Sequence, residues 1–334
     1  MRKEPERLLG ESPSFLMVLE EVSQIAPLEK PVLLVGERGT GKELVADRLH
    51  YLSNRWEGHF LKMNCAAIVD SLLESELFGH EAGAFTGASR THHGRFERAH
   101  GGTLFLDELA TTSPLVQEKL LRIIEYGEFE RVGGSKTLYC DVRIIAATNQ
   151  DLPQLASEGR FRNDLLDRLA FDVITLPPLR EREDDIMLLA EHFAINMTTE
   201  LNRDVFAGFS ADAQRALQEF AWPGNIRELK NVVERCVYRA EPDEIVDEIV
   251  FDPFESPYRP RSETTTPASP SQANPGSSNL PLDLKQAVQD FEVNMINTAL
   301  EQAKHNQRKA AELLDLTYHQ FRGYLKKYEI LKAE

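Results

Sequence analysis

The chain of 334 residues carries 38 Lys and Arg against 54 Asp and Glu, a formal net charge of −16, and 42% of its residues are hydrophobic. That is a globular composition with room for about two domains; its acidity argues against coating nucleic acid along the whole length and leaves room for one small basic module. No run approaches the ~18 apolar residues of a membrane span and no apolar signal core follows the N-terminus. Neither membrane insertion nor secretion is therefore expected, and Cys65, Cys140 and Cys236, without CxxC spacing, read as reduced thiols of a cytoplasmic protein.

Ser12 and Pro13 read as an N-cap and first-turn proline for a helix over Pro13–Ile25, with Phe15, Val18, Leu19, Val22 and Ile25 at helical spacing. Val32–Val35 has the length and branching of a buried parallel strand. Immediately after it comes Gly36-Glu37-Arg38-Gly39-Thr40-Gly41-Lys42, the GxxxxGK pattern of a phosphate-binding loop between strand and helix. Glycines let the backbone curl its N–H groups around phosphate oxygens, and Lys42 adds a cation for the β- and γ-phosphates. Glu43 stands where many such loops place a Ser or Thr on magnesium, so the metal needs other ligands. Trp56, among polar loop residues in 51–58, reads either as an exposed aromatic anchor or as a ring folded over the domain edge.

An insertion over 75–88 ends in Gly83-Ala84-Phe85-Thr86-Gly87-Ala88. Its small residues offer little to pack, so Phe85 is expected to protrude from a flexible loop beside the Thr86 hydroxyl; packing back into its own subunit is the alternative. The apolar run 103–106 then leads into Asp107 and Glu108. A carboxylate ending a strand can hold Mg²⁺ and its neighbour can polarise an attacking water, which assigns Asp107 to the metal and Glu108 to the base. Residues 127–135 read as a turn or hairpin before a third strand, Arg143–Thr148. Asn149, at that strand's end, is either a capping amide or one that orients the attacking water or senses the γ-phosphate. Arg162 and Arg168 are either surface arginines balancing Asp164 and Asp167, or arginine fingers acting on nucleotide held by a neighbouring subunit.

After Leu179 the pattern is wholly helical, through 184–201, 210–220 and 225–238, which suggests a helical lid. Residues 252–281 hold seven of the seventeen prolines and read as a linker. Beyond it, 304–328 carries six Lys or Arg against two acids. Helices over 307–314 and 317–328 would share a core of Ala310, Ala311, Leu314, Leu316 and Phe321, with Asp315 in the turn of a helix-turn-helix. Thr317 would cap the second helix and set Tyr318, His319, Gln320, Arg322 and Lys326 near DNA, with Arg308 and Lys309 in the same basic patch. Upstream, Leu284, Val288, Phe291, Met295 and Leu300 form either a dimerisation face or packing for the helix-turn-helix. The domains expected are an α/β body over 1–178, a lid over 179–251, a linker over 252–281 and a DNA-binding domain over 282–334.

Over nearly all of residues 8–250 these motifs resemble the AAA+ ATPase domain of bacterial enhancer-binding proteins, the activators of σ54 RNA polymerase, and the whole chain is similar to the phage shock members of that family. The resemblance implies an α/β P-loop domain with a parallel sheet, flanking helices and helical lid, then a small all-α Fis-type domain. It implies Walker A at Gly36 to Lys42, in a form where Glu43 fits the family, and Walker B at Leu104 to Glu108. Sensor I lies at Ala146 to Asn149, the candidate fingers are Arg162 and Arg168, and sensor II is Arg227 within Trp222-Pro223-Gly224-Asn225-Ile226-Arg227-Glu228-Leu229. Asn64 becomes a switch partner that holds Glu108 inactive until the γ-phosphate is placed. Gly83 to Ala88 matches the GAFTGA string that contacts σ54, and 127–135 becomes a second loop moving with it. The implied activity is ATP- and Mg²⁺-dependent remodelling of σ54 holoenzyme by a ring, a hexamer by resemblance, bound to enhancer DNA at the nucleoid. A DNA-binding regulator that uses ATP only for assembly, or an unfoldase or helicase with an incidental tail, are the competing expectations. A helix and a strand fill most of the thirty-five residues before Gly36. No sensory domain is expected there, and control is expected in trans, by resemblance from the negative regulator PspA with Trp56 as its docking point.

Overall fold

The computed structural model describes residues 8–254, 259, 284–303, 306–314 and 316–328. Two compact units divide the chain, residues 1–256 and 257–334. In the first, α1 (Pro13–Ile25) leads into β1 (Val32–Val35), α2 (Lys42–Tyr51), β2 (Phe60–Asn64), α3 (Asp70–Phe78), α4 (Arg95–Arg98) and β3 (Thr103–Asp107). There follow α5 (Pro114–Tyr126), the hairpin strands β4 (Glu128–Glu130) and β5 (Thr137–Tyr139), β6 (Arg143–Thr148), α6 (Leu152–Ser157), α7 (Asn163–Leu169) and β7 (Val173–Thr175). Five of these strands make one parallel sheet in the order β2-β3-β6-β1-β7.

Side chains alternate across the sheet, which explains why its central strands are apolar throughout. Leu33, Leu104, Leu106, Ile144 and Ala146 face Leu73, Phe78, Phe96 and Leu120 on one side. Val32, Leu34, Phe105, Ile145 and Ala147 face Val18, Val22, Val45 and Leu49 on the other. The register sets Asn64 beside Asp107 and Val35 beside Thr148, so the strand ends collect on one edge. Strands β2 and β7 were not expected from the sequence: each buries a single residue, Met63 or Ile174, and an edge strand exposed this way carries almost no apolar alternation. The insertion expected over 75–88 also starts later, because Ser75, Leu77 and Phe78 are buried in the last turns of α3.

From Leu179 to Arg239 every regular element is helical: a 3₁₀ turn (Leu179–Glu181), α8 (Glu183–Glu200), α9 (Ala211–Glu219) and α10 (Asn225–Arg239). Trp222 is completely buried in their core, with its Nε1–H donating to Leu217 O at 2.9 Å. A buried ion pair joins this bundle to α1. Asp185 accepts from Arg182 Nε at 2.8 Å, Ser12 Oγ at 2.8 Å and Ser12 N at 2.9 Å, and also from Glu11 N. Burial works to raise the Asp185 pKa, but these donors outweigh it and keep the carboxyl below its ordinary range. Arg182 also stacks on Phe15, 3.7 Å from the ring centre, and a side chain at Gly10 would strike both. Ser12 thus begins α1 as its sequence suggests, but its hydroxyl serves Asp185 and makes no cap bond.

The second unit is α11 (Leu284–Gln302), α12 (Gln307–Leu313) and α13 (Tyr318–Lys327), around Ile296, Ala299, Ala303, Ala310, Ala311, Phe321 and Leu325. Leu300, Leu314 and Leu316 pack on that core, while Phe291 and Met295 remain exposed. Most of the expected linker, with Lys304, Asp315 and the side chains of Leu284 and Val288, lies outside the described residues. Among the described residues no helix is long and apolar enough to cross a membrane. Replacing Asp185 by Ala strands the Arg182 guanidinium in the interior, so the variant should unfold in urea with a loss of about 3–5 kcal/mol. A loss below about 1 kcal/mol, the range of a surface pair, would show that the joint is not needed for stability.

Candidate nucleotide site and surface loops

The loop after β1 turns on Gly39 and Gly41, at φ of 80° and 96°, where a side chain would be strained. A Cβ on Gly39 would also lie 2.3 Å from Gly224 O. Lys42 opens α2 with its ammonium buried inside the loop, donating to Gly36 O at 2.8 Å and Glu37 O at 3.0 Å. Burial lowers its pKa; Asp107 and Glu108 oppose that, whereas Arg227 and Arg38 reinforce it. The four side chains therefore share one electrostatic neighbourhood with the loop. Thr40 Oγ1 donates to Glu37 O at 2.9 Å. Two candidates from the same motif have other partners: the Glu43 carboxylate meets Lys62 Nζ at 2.9 Å, and that of Glu37 is taken by Arg180 and Asn225.

Asp107 ends β3, accepting from Asn64 Nδ2 at 3.2 Å and from Glu108 N at 2.9 Å. Glu108 has a φ of 53°, a left-handed backbone that non-glycine residues adopt at some cost and that is common at functional sites. With the Asn149 amide oriented to suit its neighbours, its nitrogen donates to Glu108 Oε2 at 2.8 Å and its oxygen accepts from Arg38 Nε at 3.0 Å. Arg38 Nε also lies 3.6 Å from Glu108 Oε1. The expected Asn64–Glu108 contact is therefore not the one formed. Register puts Asn64 against Asp107, its oxygen accepts from Ala66 N at 2.9 Å, and the left-handed turn carries Glu108 to Asn149 and Arg38.

Both candidate fingers lie on or beside α7 and are paired within the subunit. Arg162 forks onto Asp164 at 3.0 and 2.6 Å, and Arg168 Nε donates to Glu125 Oε1 at 2.8 Å, a partner the sequence did not suggest. Each arginine side chain is more than a third exposed, at 39% and 59%. That leaves them accessible to another chain, and exposed pairs of this kind are weak enough to exchange partners.

Gly83 N donates to Ala88 O at 2.7 Å, closing the six-residue loop on itself. Phe85 is exposed but also rests its ring edge on His80, 4.9 Å between centres, so both readings of it hold in part. Ala88 is buried. Beyond β4 the second loop reaches the first. Glu81 N donates to Val132 O at 3.0 Å and Val132 N to Gly79 O at 2.9 Å, and a Cβ on Gly133 would come within 2.7 Å of the Ala84 Cβ. Arg131 ties the pair together through Glu81 at 2.7 Å and Glu97 at 2.9 and 2.6 Å. Burial opposes ionisation of Glu97, yet Arg131 and His93 hold its pKa at about 2.

In the second unit Thr317 caps α13 by a reciprocal box with Gln320. Arg308, Lys309, Thr317, His319, Gln320, Arg322 and Lys326 are exposed, and Arg308 lies 5.7 Å from the ring centre of the half-buried Tyr318. The Gln320 oxygen is engaged in the cap. On the first unit Trp56 is 57% exposed beside exposed Tyr51 and Leu52, which favours the anchor reading over a folded ring. Its loop is braced by Arg55, which bonds Asp141 at 2.7 Å and also Glu29.

The Sigma-54 interaction domain model matches residues 8–175, the AAA+ ATPase lid domain model residues 180–267 and the model of the Fis family of bacterial regulatory proteins residues 287–328. The Psp operon transcriptional activator of Escherichia coli (strain K12) is 60% identical over 331 residues, spanning 99% of this chain and 100% of that protein. The chain belongs to the bacterial enhancer-binding family of σ54-dependent transcriptional activators. Regulatory protein AtoC, also of Escherichia coli (strain K12), is 42% identical over 98% of this chain and 68% of its own length. The crystal structure of NtrX from Brucella abortus in complex with ATP superposes with a TM-score of 0.68 at 32% identity, covering 97% of this chain and 70% of that one.

Membership of this family implies an ATPase that binds nucleotide. Around the phosphate loop the sequence did not point to Arg180, and it offered Asn225 only as part of the sensor II string, with no role of its own. The one available signal was an uncapped asparagine after Trp222-Pro223-Gly224, and it gave no hint of a partner almost two hundred positions away. Because Lys42 lines the phosphate loop itself while Glu108 lies at the turn after β3, Lys42→Ala should weaken nucleotide binding. Glu108→Ala should bind nucleotide within about threefold of wild type and lose turnover, since a base acts only in the transition state. Nucleotide titration and steady-state hydrolysis distinguish the two, and equal loss of affinity in both would reverse the assignment.

Proposed function

We propose that this activator hydrolyses ATP between subunits of a ring, a hexamer by family likeness, and spends the reaction on remodelling σ54 RNA polymerase holoenzyme. The observation that carries this reading is the placement of Lys42, Asp107, Glu108 and Asn149 on one edge of the sheet, in a protein whose Gly83 to Ala88 loop is joined through main-chain bonds to the loop around Val132. The backbone of Gly36 to Gly41 with Lys42 cradles the phosphates. Each Asp107 oxygen carries one hydrogen bond and keeps a free lone pair, and a single carboxylate with phosphate oxygens is a donor set that suits Mg²⁺. Bound there, Mg²⁺ would neutralise charge on the β- and γ-phosphates. Glu108 orients the attacking water and takes its proton, Asn149 reads the γ-phosphate, and Arg227 approaches from the lid.

Arg162 and Arg168 exchange their own carboxylates for the γ-phosphate of the adjoining subunit, where a guanidinium offsets transition-state charge. When Asn149 and Arg38 release Glu108, Asn64 becomes available to it, and the motion passes along Cys65 and α3 to the two loops. Phe85 then leaves His80 and, with Thr86, engages σ54. The C-terminal unit holds enhancer DNA through Arg308, Lys309 and the exposed face of α13, raising local concentration at the promoter. The protein works in the cytoplasm at the nucleoid, and PspA restrains it by covering Trp56.

The test is open-complex formation at a σ54 promoter. ATP should drive it with σ54 holoenzyme and not with σ70 holoenzyme; activity with both or with neither refutes the proposal. Thr86→Ala should retain ATPase within about twofold and fail to form open complex, because it lies outside the phosphate loop and its facing acids. Trp56→Ala should keep basal ATPase and bind PspA at least about tenfold more weakly, as loss of an exposed aromatic anchor does. Unchanged PspA affinity in a folded Trp56→Ala protein removes that surface from consideration.

A further inference from the structure

Asn225 has no exposed surface, sits at φ 54° and opens α10 two residues before Arg227. Its amide makes three bonds. Oδ1 accepts from Leu179 N at 2.8 Å, and Nδ2 donates to Glu37 Oε2 at 3.0 Å and to Arg38 O at 3.0 Å. Arg180, in the turn that begins the lid, forks onto the same Glu37 carboxylate at 3.0 and 2.6 Å. These hydrogen bonds, Arg180 first, bring the Glu37 pKa down to about 2, so the carboxylate is fully ionised at neutral pH. At Gly39 the two backbones meet, and a Cβ there would lie 2.3 Å from Gly224 O and 3.1 Å from Arg227 Cβ.

Only a carboxamide meets this demand. It offers one acceptor to the Leu179 N–H and two donors to the phosphate loop, and asparagine tolerates the left-handed backbone better than other side chains. Aspartate has the same shape, but would turn an oxygen toward the Glu37 carboxylate and the Arg38 carbonyl. Glu37 and Arg38 are thereby bonded to the start of the helix that carries Arg227.

We infer that Asn225, assisted by Arg180 and Glu37, is a positioning residue for hydrolysis that fixes Arg227 over the phosphate loop and so ties lid orientation to the loop's shape. The inference rests on the nucleotide-site reading above. It assigns Asn225, Arg180 and Glu37 to setting where Arg227 meets the phosphates, a task separate from contact with σ54 or DNA. Misplacing a group by about an ångström is enough to lose most of its effect on a transition state.

The test is a double-mutant cycle on steady-state ATP hydrolysis by the full chain. Asn225→Asp should lower kcat by roughly tenfold or more. In an Arg227→Ala background the same change should alter kcat by less than about twofold, because the group being positioned is already gone. Arg180→Ala should act in the same direction with a smaller loss and the same dependence on Arg227; its half-exposed side chain can be removed without opening the core. It carries the test if Asn225→Asp does not fold. Equal factors lost with and without Arg227, or unchanged kcat in folded Asn225→Asp or Arg180→Ala, overturns the inference and leaves the nucleotide site intact. Absence of ATPase activity in the unmodified chain would overturn the nucleotide-site reading instead.

Discussion

Parallel pairing of β1 with β6, of β6 with β3 and of β3 with β2 decides where this protein can do chemistry. Parallel strands end together, and the loops that leave them carry their polar groups to a common edge. Val35 opposite Thr148 and Asn64 opposite Asp107 are consequences of that register. A slip of one residue would turn Asp107 from the face it shares with Phe105 to the opposite face, among Leu33 and Ile144. Close packing of the β3 and β6 side chains on both faces of the sheet opposes that slip. The site is thus secured by residues that take no part in it.

The charges brought together on this edge are balanced before any ligand arrives. Lys42 is solvated by the carbonyls of its own loop, Glu108 by Asn149 and Arg38, Asp107 by Asn64 and a backbone N–H. The carbonyl partners of Lys42 are replaceable by phosphate oxygens at little net cost, since one acceptor is exchanged for another. The partners of Glu108 and Asp107 are donors, which a phosphate oxygen cannot replace. The left-handed backbone at Glu108 adds a conformational cost retained in the resting protein. Asp185 and Arg182 differ in kind. Neither can exchange its partner without burying a bare charge, which makes the α1–lid joint a fixed point and the nucleotide edge an adjustable one.

Local motifs were readable from the sequence because their chemistry is contiguous: the phosphate loop, the Asp107–Glu108 pair, the glycine-spaced loop around Phe85, and the apolar faces of α1, α10 and the tail helices. Contacts between distant segments were not. The Asn64 amide has the sequence surroundings of any strand end, and which acid it meets depends on a register invisible until β2 is known to pair with β3. Strand β2 itself was hidden by the exposed Lys62 and Asn64, which leave Met63 as its one fully buried side chain. Asp167 was the nearer partner in sequence for Arg168, yet Glu125 from α5 occupies it because α5 and α7 lie side by side. Family resemblance supplied roles where periodicity could not, and it supplied the Asn64–Glu108 pairing that this conformation does not form.

The two surface loops illustrate how a small change on the edge can be felt at a distance. Their own structure is stiff: main-chain bonds close the first loop, two more join it to Val132, and Arg131 braces the junction against Glu81 and Glu97. A stiff pair moves as one body, and the freedom must lie at its ends. Gly79 is one such end, with φ at 77° and no room for a side chain between α3 and His92. In the proposed mechanism, displacement of Asn64 reaches α3 through only the short turn at Cys65, so a shift there swings the loop body about Gly79. Phe85 lies within that body, its ring edge on His80 and its carbonyl accepting from Ala88 N at 3.0 Å, so its exposed ring is carried with the loop.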